Sequence, residues 1–106
     1  MNTSKQQILD LGVEIYRLTA KLSPEEEHVL KEMLMRATGD LAANIAMSDV
    51  DSSEERAQFL STAGGKIAVI ETLLQICVAV KYLEAAEIAT ALNICAEIEG
   101  TIGRQN

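Results

Sequence analysis

The residues at 59–83, FLSTAGGKIAVIETLLQICVAVKYL, constrain this chain more than any other stretch. Leu60, Ala63, Ile67, Ile70, Leu74 and Cys77 recur at alternating spacings of three and four, the period of one stripe along an α-helix. Val69, Leu73, Ile76, Val78 and Val80 lie off that stripe. A helix that is apolar over most of its circumference has to be covered on more than one side. A bundle core covers one side, and a second copy of the protein is the simplest cover for the other. Val69, Leu73, Ile76 and Val80 are therefore expected at an oligomer interface.

The rest of the chain supplies the bundle. At about 4–21, Ile8, Leu11, Ile15, Leu18 and Leu22 keep heptad spacing, with Lys5, Asp10, Glu14, Arg17 and Lys21 on other faces. Ser23, Pro24 and Glu26 form a capping box with proline at the first helical position, which opens a second helix at about 24–47. Its inward set is Leu30, Leu34, Ala37, Leu41 and Ile45, with Met33 beside them. The polar turn SDVDSS follows, and Ser52 with Glu55 caps a third helix at about 53–81. A fourth, at about 84–102, turns Ile88, Leu92, Cys95, Ile98 or Glu99, and Ile102 inward. Gly12 falls inside helix one, either tolerated or serving the close approach of a neighbour, and Gly64 and Gly65 fall inside helix three, either to let another helix close in or to permit a bend. Four helices with short connections predict an all-α, antiparallel up-down-up-down four-helix bundle, and 106 residues leave no room for a second domain.

Catalytic and metal-binding patterns are weak throughout. Glu25 and His28 give one Glu-x-x-His, whereas a di-iron bundle needs two, and the sequence holds a single His. His28 is read instead as an exposed first-turn residue. Asp49, Asp51 and Glu55 lack the turn glycine and distal glutamate of a calcium loop and are read as a solvated turn and cap. Gly64-Gly65 follows no strand, so no phosphate loop is expected. Cys77 and Cys95 fall about eight residues out of level in a helical hairpin, too far apart to bridge, and are expected as small buried thiols. No enzyme activity, cofactor or metal is expected.

Charge bears on partners. Nine Lys and Arg against 16 Asp and Glu leave a formal charge of −7, and the cations are spread along the chain. Such a surface repels nucleic acid and anionic membranes, so neither is an expected partner. The N-terminus does not read as a secretory signal, and the longest purely apolar run, 76–80, is far below the roughly 20 residues of a spanning helix. The expected location is cytoplasmic. Arg36, Asp40 and Asn44 are spaced by four on one face of helix two. They form either a local ion pair with a self-satisfying Asn, or a polar row at a subunit boundary that fixes register.

Several features together resemble a known family. They are the helix-one run EIYRLTAKL, Pro24 and Glu26, Arg36-Ala37, the Asn-Ile-Ala at 44–46, Ala63, Gly64 and Glu71, and Tyr82-Leu83. In order and spacing they are similar to the small bacterial four-helix-bundle proteins first noticed as reading frames within intervening sequences of large-subunit ribosomal RNA genes. The accessory variability determinants of diversity-generating retroelements are similar too. The resemblance implies a bundle that associates into a ring, commonly of five subunits, without enzymatic activity. It also implies an alternative role, that of a retroelement or ribosomal RNA insertion accessory protein that contacts a reverse transcriptase and nucleic acid. This chain departs from the basic members of that family at the loop after Met47, where Asp49, Asp51, Glu54 and Glu55 stand. The leading expectation is a non-enzymatic homo-oligomeric scaffold or adaptor, with itself and possibly another protein as partners.

Overall fold

The computed structural model describes residues 3–23, 25 and 28–105. Its elements are α1 (Thr3–Thr19), α2 (His28–Met47), α3 (Ser53–Ala79) and α4 (Ala85–Gln105), in a molecule 44 × 22 × 21 Å. Each helix packs on its sequence neighbours and α4 closes against α1, which is the up-down-up-down bundle. Two contacts at opposite ends of the α1–α4 pair, Lys21 with Glu87 and Gln7 with Thr101, show these helices running antiparallel.

The core follows the expected stripes. Leu11, Ile15, Leu18 and Leu22, with Leu34, Ala37 and Leu41, meet the full α3 stripe and Ile88, Cys95, Ile98 and Ile102 of α4. Ile8, Leu30, Ile45 and Leu92 are only half-buried at its margins. Among the described residues three polar groups are buried: Thr19, whose hydroxyl donates to Tyr16 O at 2.9 Å, and two more that join the core unannounced. Glu14, read as lying on another face, is 8% exposed and bound by Arg17 Nη2 at 2.6 Å. Thr101 is buried with its hydroxyl 3.0 Å from both Glu97 O and Gln7 Oε1. Both are tolerated because hydrogen bonds offset the loss of water.

Helix ends follow local chemistry. Of the expected box at Ser23, Pro24 and Glu26, Pro24 and Glu26 lie outside the described residues. Ser52 does cap α3, its Oγ accepting from Glu55 N at 3.2 Å, and Arg56 closes the preceding turn onto Val50 O at 2.7 Å. α3 stops at Ala79, two residues short of expectation, because Lys81 takes the left-handed conformation, φ 69°. Tyr82 N and Lys81 N then donate to Cys77 O and Val78 O at 2.9 and 3.0 Å, the Schellman pattern with lysine where glycine is usual. α4 begins on half of a capping box, Glu84 N donating to Glu87 Oε1 at 2.8 Å. It runs to Gln105, past the expected end, since nothing after Ile102 breaks it.

By length and composition alone α3 is apolar enough to cross a membrane, because its apolar residues occupy several sides. Seven of them face the bundle core. The glycines have no in-chain packing role: a Cβ added at Gly12, Gly39, Gly64 or Gly65 would meet nothing within 4 Å. Each nevertheless costs a helix interior about 1 kcal/mol against Ala.

Candidate interaction surfaces

The residues expected at an interface divide. Val69, Ile76 and Val80 are 42%, 40% and 48% exposed and form a ridge on the outside of α3. Leu73 does not belong with them. It is 5% exposed and part of the core, because the wide α3 face packed on α2 takes in more of the circumference than one heptad stripe. Val78, also read as lying off the stripe, is half-buried against the core.

The polar row on α2 makes contacts within the chain. Asp40 Oδ2 pairs with Lys66 Nζ of α3 at 3.4 Å, not with Arg36, which is exposed. Asn44 Nδ2 donates to Asp40 O at 2.8 Å, the self-satisfying arrangement. Half-exposed and 3.4 Å long, the Lys66–Asp40 pair adds little stability. It does fix direction. Lys66 marks the side of α3 that faces α2, while Glu71, which meets Glu99, marks the side that faces α4. On the 100° step of an α-helix, Val69, Ile76 and Val80 lie next to Lys66, on the α2 side of the outer surface.

A second apolar surface lies where no interface was expected. Leu9, Val13 and Tyr16 of α1 are 55%, 69% and 67% exposed. With Ile8, Gly12, Gly39 and Ala42 they line an open groove of about 640 Å³ between α1 and α2. A shallower hollow of about 360 Å³ shares Ile8, Leu9 and Ala42 and carries the groove on toward Lys5 and Asp49. The signal was present in the sequence: Leu9, Val13 and Tyr16, spaced four and three, form a second stripe on helix one beside the core stripe.

Reactive groups are few and quiet. Cys77 and Cys95 are free and buried. Burial, reinforced by the charges of Glu71 and Glu99, pushes the Cys95 thiol up to about 12, and burial alone raises Cys77. Thiols held protonated in this way are poor nucleophiles. His28 is exposed. Among the described residues no three His, Cys, Asp or Glu side chains are grouped to hold a metal ion.

Two carboxylates respond to pH in opposite senses. Desolvation, then the hydrogen bond to Glu99 and its charge, raise Glu71 above 4.5. Its protonated form is favoured by folding, so that contribution to stability is present at low pH and is lost as pH rises through the raised value. Glu87 is lowered by the hydrogen bond from Lys21, 2.7 Å away, and by Glu84 N–H. Its contribution is present at neutral pH and is lost as pH falls. Glu71→Gln should therefore raise the thermal midpoint at pH 7 and lose that advantage near pH 4. An equal effect at both pH values would show that the folded protein does not hold the Glu71 carboxyl above its ordinary value.

The architecture places this protein in a class: an all-α antiparallel four-helix bundle whose conspicuous surfaces are apolar. More particularly, the chain belongs to the 23S rRNA-intervening sequence protein family, whose model matches residues 2–104. A crystal structure of a protein with unknown function from the S23 ribosomal protein family, from Bacteroides thetaiotaomicron VPI-5482, has the same fold. The two superpose with a TM-score of 0.85 at 20% sequence identity, over 94% of each chain. No curated protein matches.

Proposed function

We propose that this protein is a non-enzymatic homo-oligomeric scaffold or adaptor, a ring of four-helix bundles, with five subunits by the resemblance drawn from its sequence. The observation that carries the reading is the exposed apolar surface. Leu9, Val13 and Tyr16 on one face, and Val69, Ile76 and Val80 on another, are each at least 40% exposed. Groups of this size make patches of a few hundred Å², the scale that marks interaction sites on soluble proteins. Covering them between copies removes apolar area from water at about 25 cal/mol per Å², several kcal/mol before the cost of association.

Nucleic acid fits this surface poorly. The net charge is −7, and Lys21, Lys66 and Arg17 are already engaged by Glu87, Asp40 and Glu14. The protein is expected to leave oligonucleotides unbound at physiological salt.

Assembly makes folding depend on concentration, because association stabilises only the folded chain. The thermal midpoint should rise as the protein is concentrated from about 1 to about 100 µM, by several degrees for each kcal/mol gained in a domain of this size. A midpoint that stays constant across that range would count against the homo-oligomeric reading.

A further inference from the structure

We propose that Met33 is a modification site: a hydroperoxide converts its thioether to a sulfoxide, which turns the outer face shared by α2 and α3 polar and weakens self-association. The last step rests on the homo-oligomeric reading above. Of the four methionines, Met1 lies outside the described residues. Met33, Met35 and Met47 all stand on α2 and are 47%, 39% and 45% exposed. Methionine is a flexible filler of apolar cores, yet the buried core among the described residues is built of Leu, Ile, Ala and Cys. The thioethers are on the outside instead.

The usual order of oxidant sensitivity is thereby reversed. A cysteine reacts with peroxide as an accessible thiolate. Cys77 and Cys95 are fully buried, and burial favours the protonated thiol of each. A methionine needs no deprotonation, only access of the oxidant to sulfur. Its sulfur lone pair attacks one peroxide oxygen, the O–O bond breaks, and the proton on the attacked oxygen passes to the departing one. Sulfur is oxidised to the sulfoxide, and hydrogen peroxide is reduced to water.

Helix geometry singles out Met33 among the three. It stands seven residues before Asp40, two turns of helix, and so shares the side of α2 that meets Lys66 of α3. The helices are antiparallel, so two turns back along α2 from that contact is two turns forward along α3, level with Leu73. Met33 therefore lies between the levels of Val69 and Ile76, within the exposed apolar strip. Met47 is two turns the other way, beyond that strip, and Met35, one turn before Gly39, is on the α1 side. A sulfoxide is polar where a thioether is not, and it disrupts an apolar contact without touching a core that holds no methionine. Copies packed on this face would cover Met33 along with its neighbours, so the reaction takes place on the dissociated chain and holds it there.

Peroxide treatment of the whole protein, followed by peptide mapping, tests the site. One oxygen should be added at Met33 while Cys77 and Cys95 remain free thiols and the helical circular dichroism is unchanged. Cysteine oxidised before Met33, or helix lost as Met33 gains its oxygen, overturns the proposal. Sedimentation tests the consequence. The treated wild type should fall toward the mass of one chain, whereas Met33→Leu, with no sulfur at that position, should keep after treatment the mass it has before. Met33→Gln, polar there without any oxidant, should sediment like the treated wild type. A wild type oxidised at Met33 that keeps its mass, or a Met33→Leu protein that loses mass on treatment, contradicts the proposal. Wild-type protein that is a single chain before any treatment overturns the homo-oligomeric reading and the control of association with it. A Met33 that peroxide leaves intact overturns the site alone, which separates the two failures.

Discussion

Leu73→Asp should unfold this protein or leave it barely folded at 25 °C, whereas Ile76→Asp, three residues away on the same helix, should leave the bundle intact. Leu73 is 5% exposed and lies within the core cluster, so an aspartate there loses its water without gaining a partner. An unpaired buried charge, added to the apolar contacts removed, costs about 4 kcal/mol or more. That is a large part of the 5–15 kcal/mol that holds a typical domain together. Ile76 is 40% exposed, and its substitution can send the carboxylate into solvent. Urea titration followed by circular dichroism separates the two. A Leu73→Asp protein as stable as wild type would return Leu73 to the outer surface of α3.

Leu74→Ala should destabilise the bundle by about 3–5 kcal/mol. Leu74 is fully buried in the stripe of α3 that faces the other helices. Removing its side chain forfeits the transfer of those carbons from water and leaves a cavity that a tightly packed aliphatic core closes only in part. The urea midpoint should fall with an unchanged slope, because the surface exposed on unfolding is nearly the same. A loss below about 1 kcal/mol would mean that the core around Leu74 collapses freely or is not formed as described.

The bundle was legible in the sequence wherever a helix carried one narrow stripe. Ile8 to Leu22, Leu34 to Leu41 and Leu60 to Cys77 placed the core because their spacing is the helical period itself, and Ser52 with Glu55 placed a helix start by cap chemistry. Leu73 was misplaced because periodicity ranks positions by angle alone, while the width of the buried arc depends on how closely the neighbouring helix approaches. Glu14 was misplaced for a related reason, since it flanks the core stripe and a carboxylate gives no sign in the sequence that Arg17 will pair with it there. The Asp40 partner was also out of reach. Arg36 and Lys66 are equally good cations, and only the antiparallel register of α2 and α3 selects Lys66. The left-handed Lys81 had no residue signal, as glycine would have given.

The exposed apolar residues show the same division. Val69, Ile76 and Val80 were readable as surplus apolar surface because α3 holds more of it than one core can use. The α1–α2 groove was only half readable: Leu9, Val13 and Tyr16 form a second stripe on helix one, but nothing in that stripe names the helix beside it. A groove is a property of two helices together, and Gly12 on α1 and Gly39 on α2 come to line the same hollow only after the bundle has formed.

Sedimentation equilibrium of the wild-type protein at tens of micromolar tests the account most directly. The prediction is a mass several times the 11.5 kDa of one chain. A mass of 11.5 kDa under those conditions would mean that Leu9, Val13, Tyr16, Val69, Ile76 and Val80 face water in the working protein, and would contradict it.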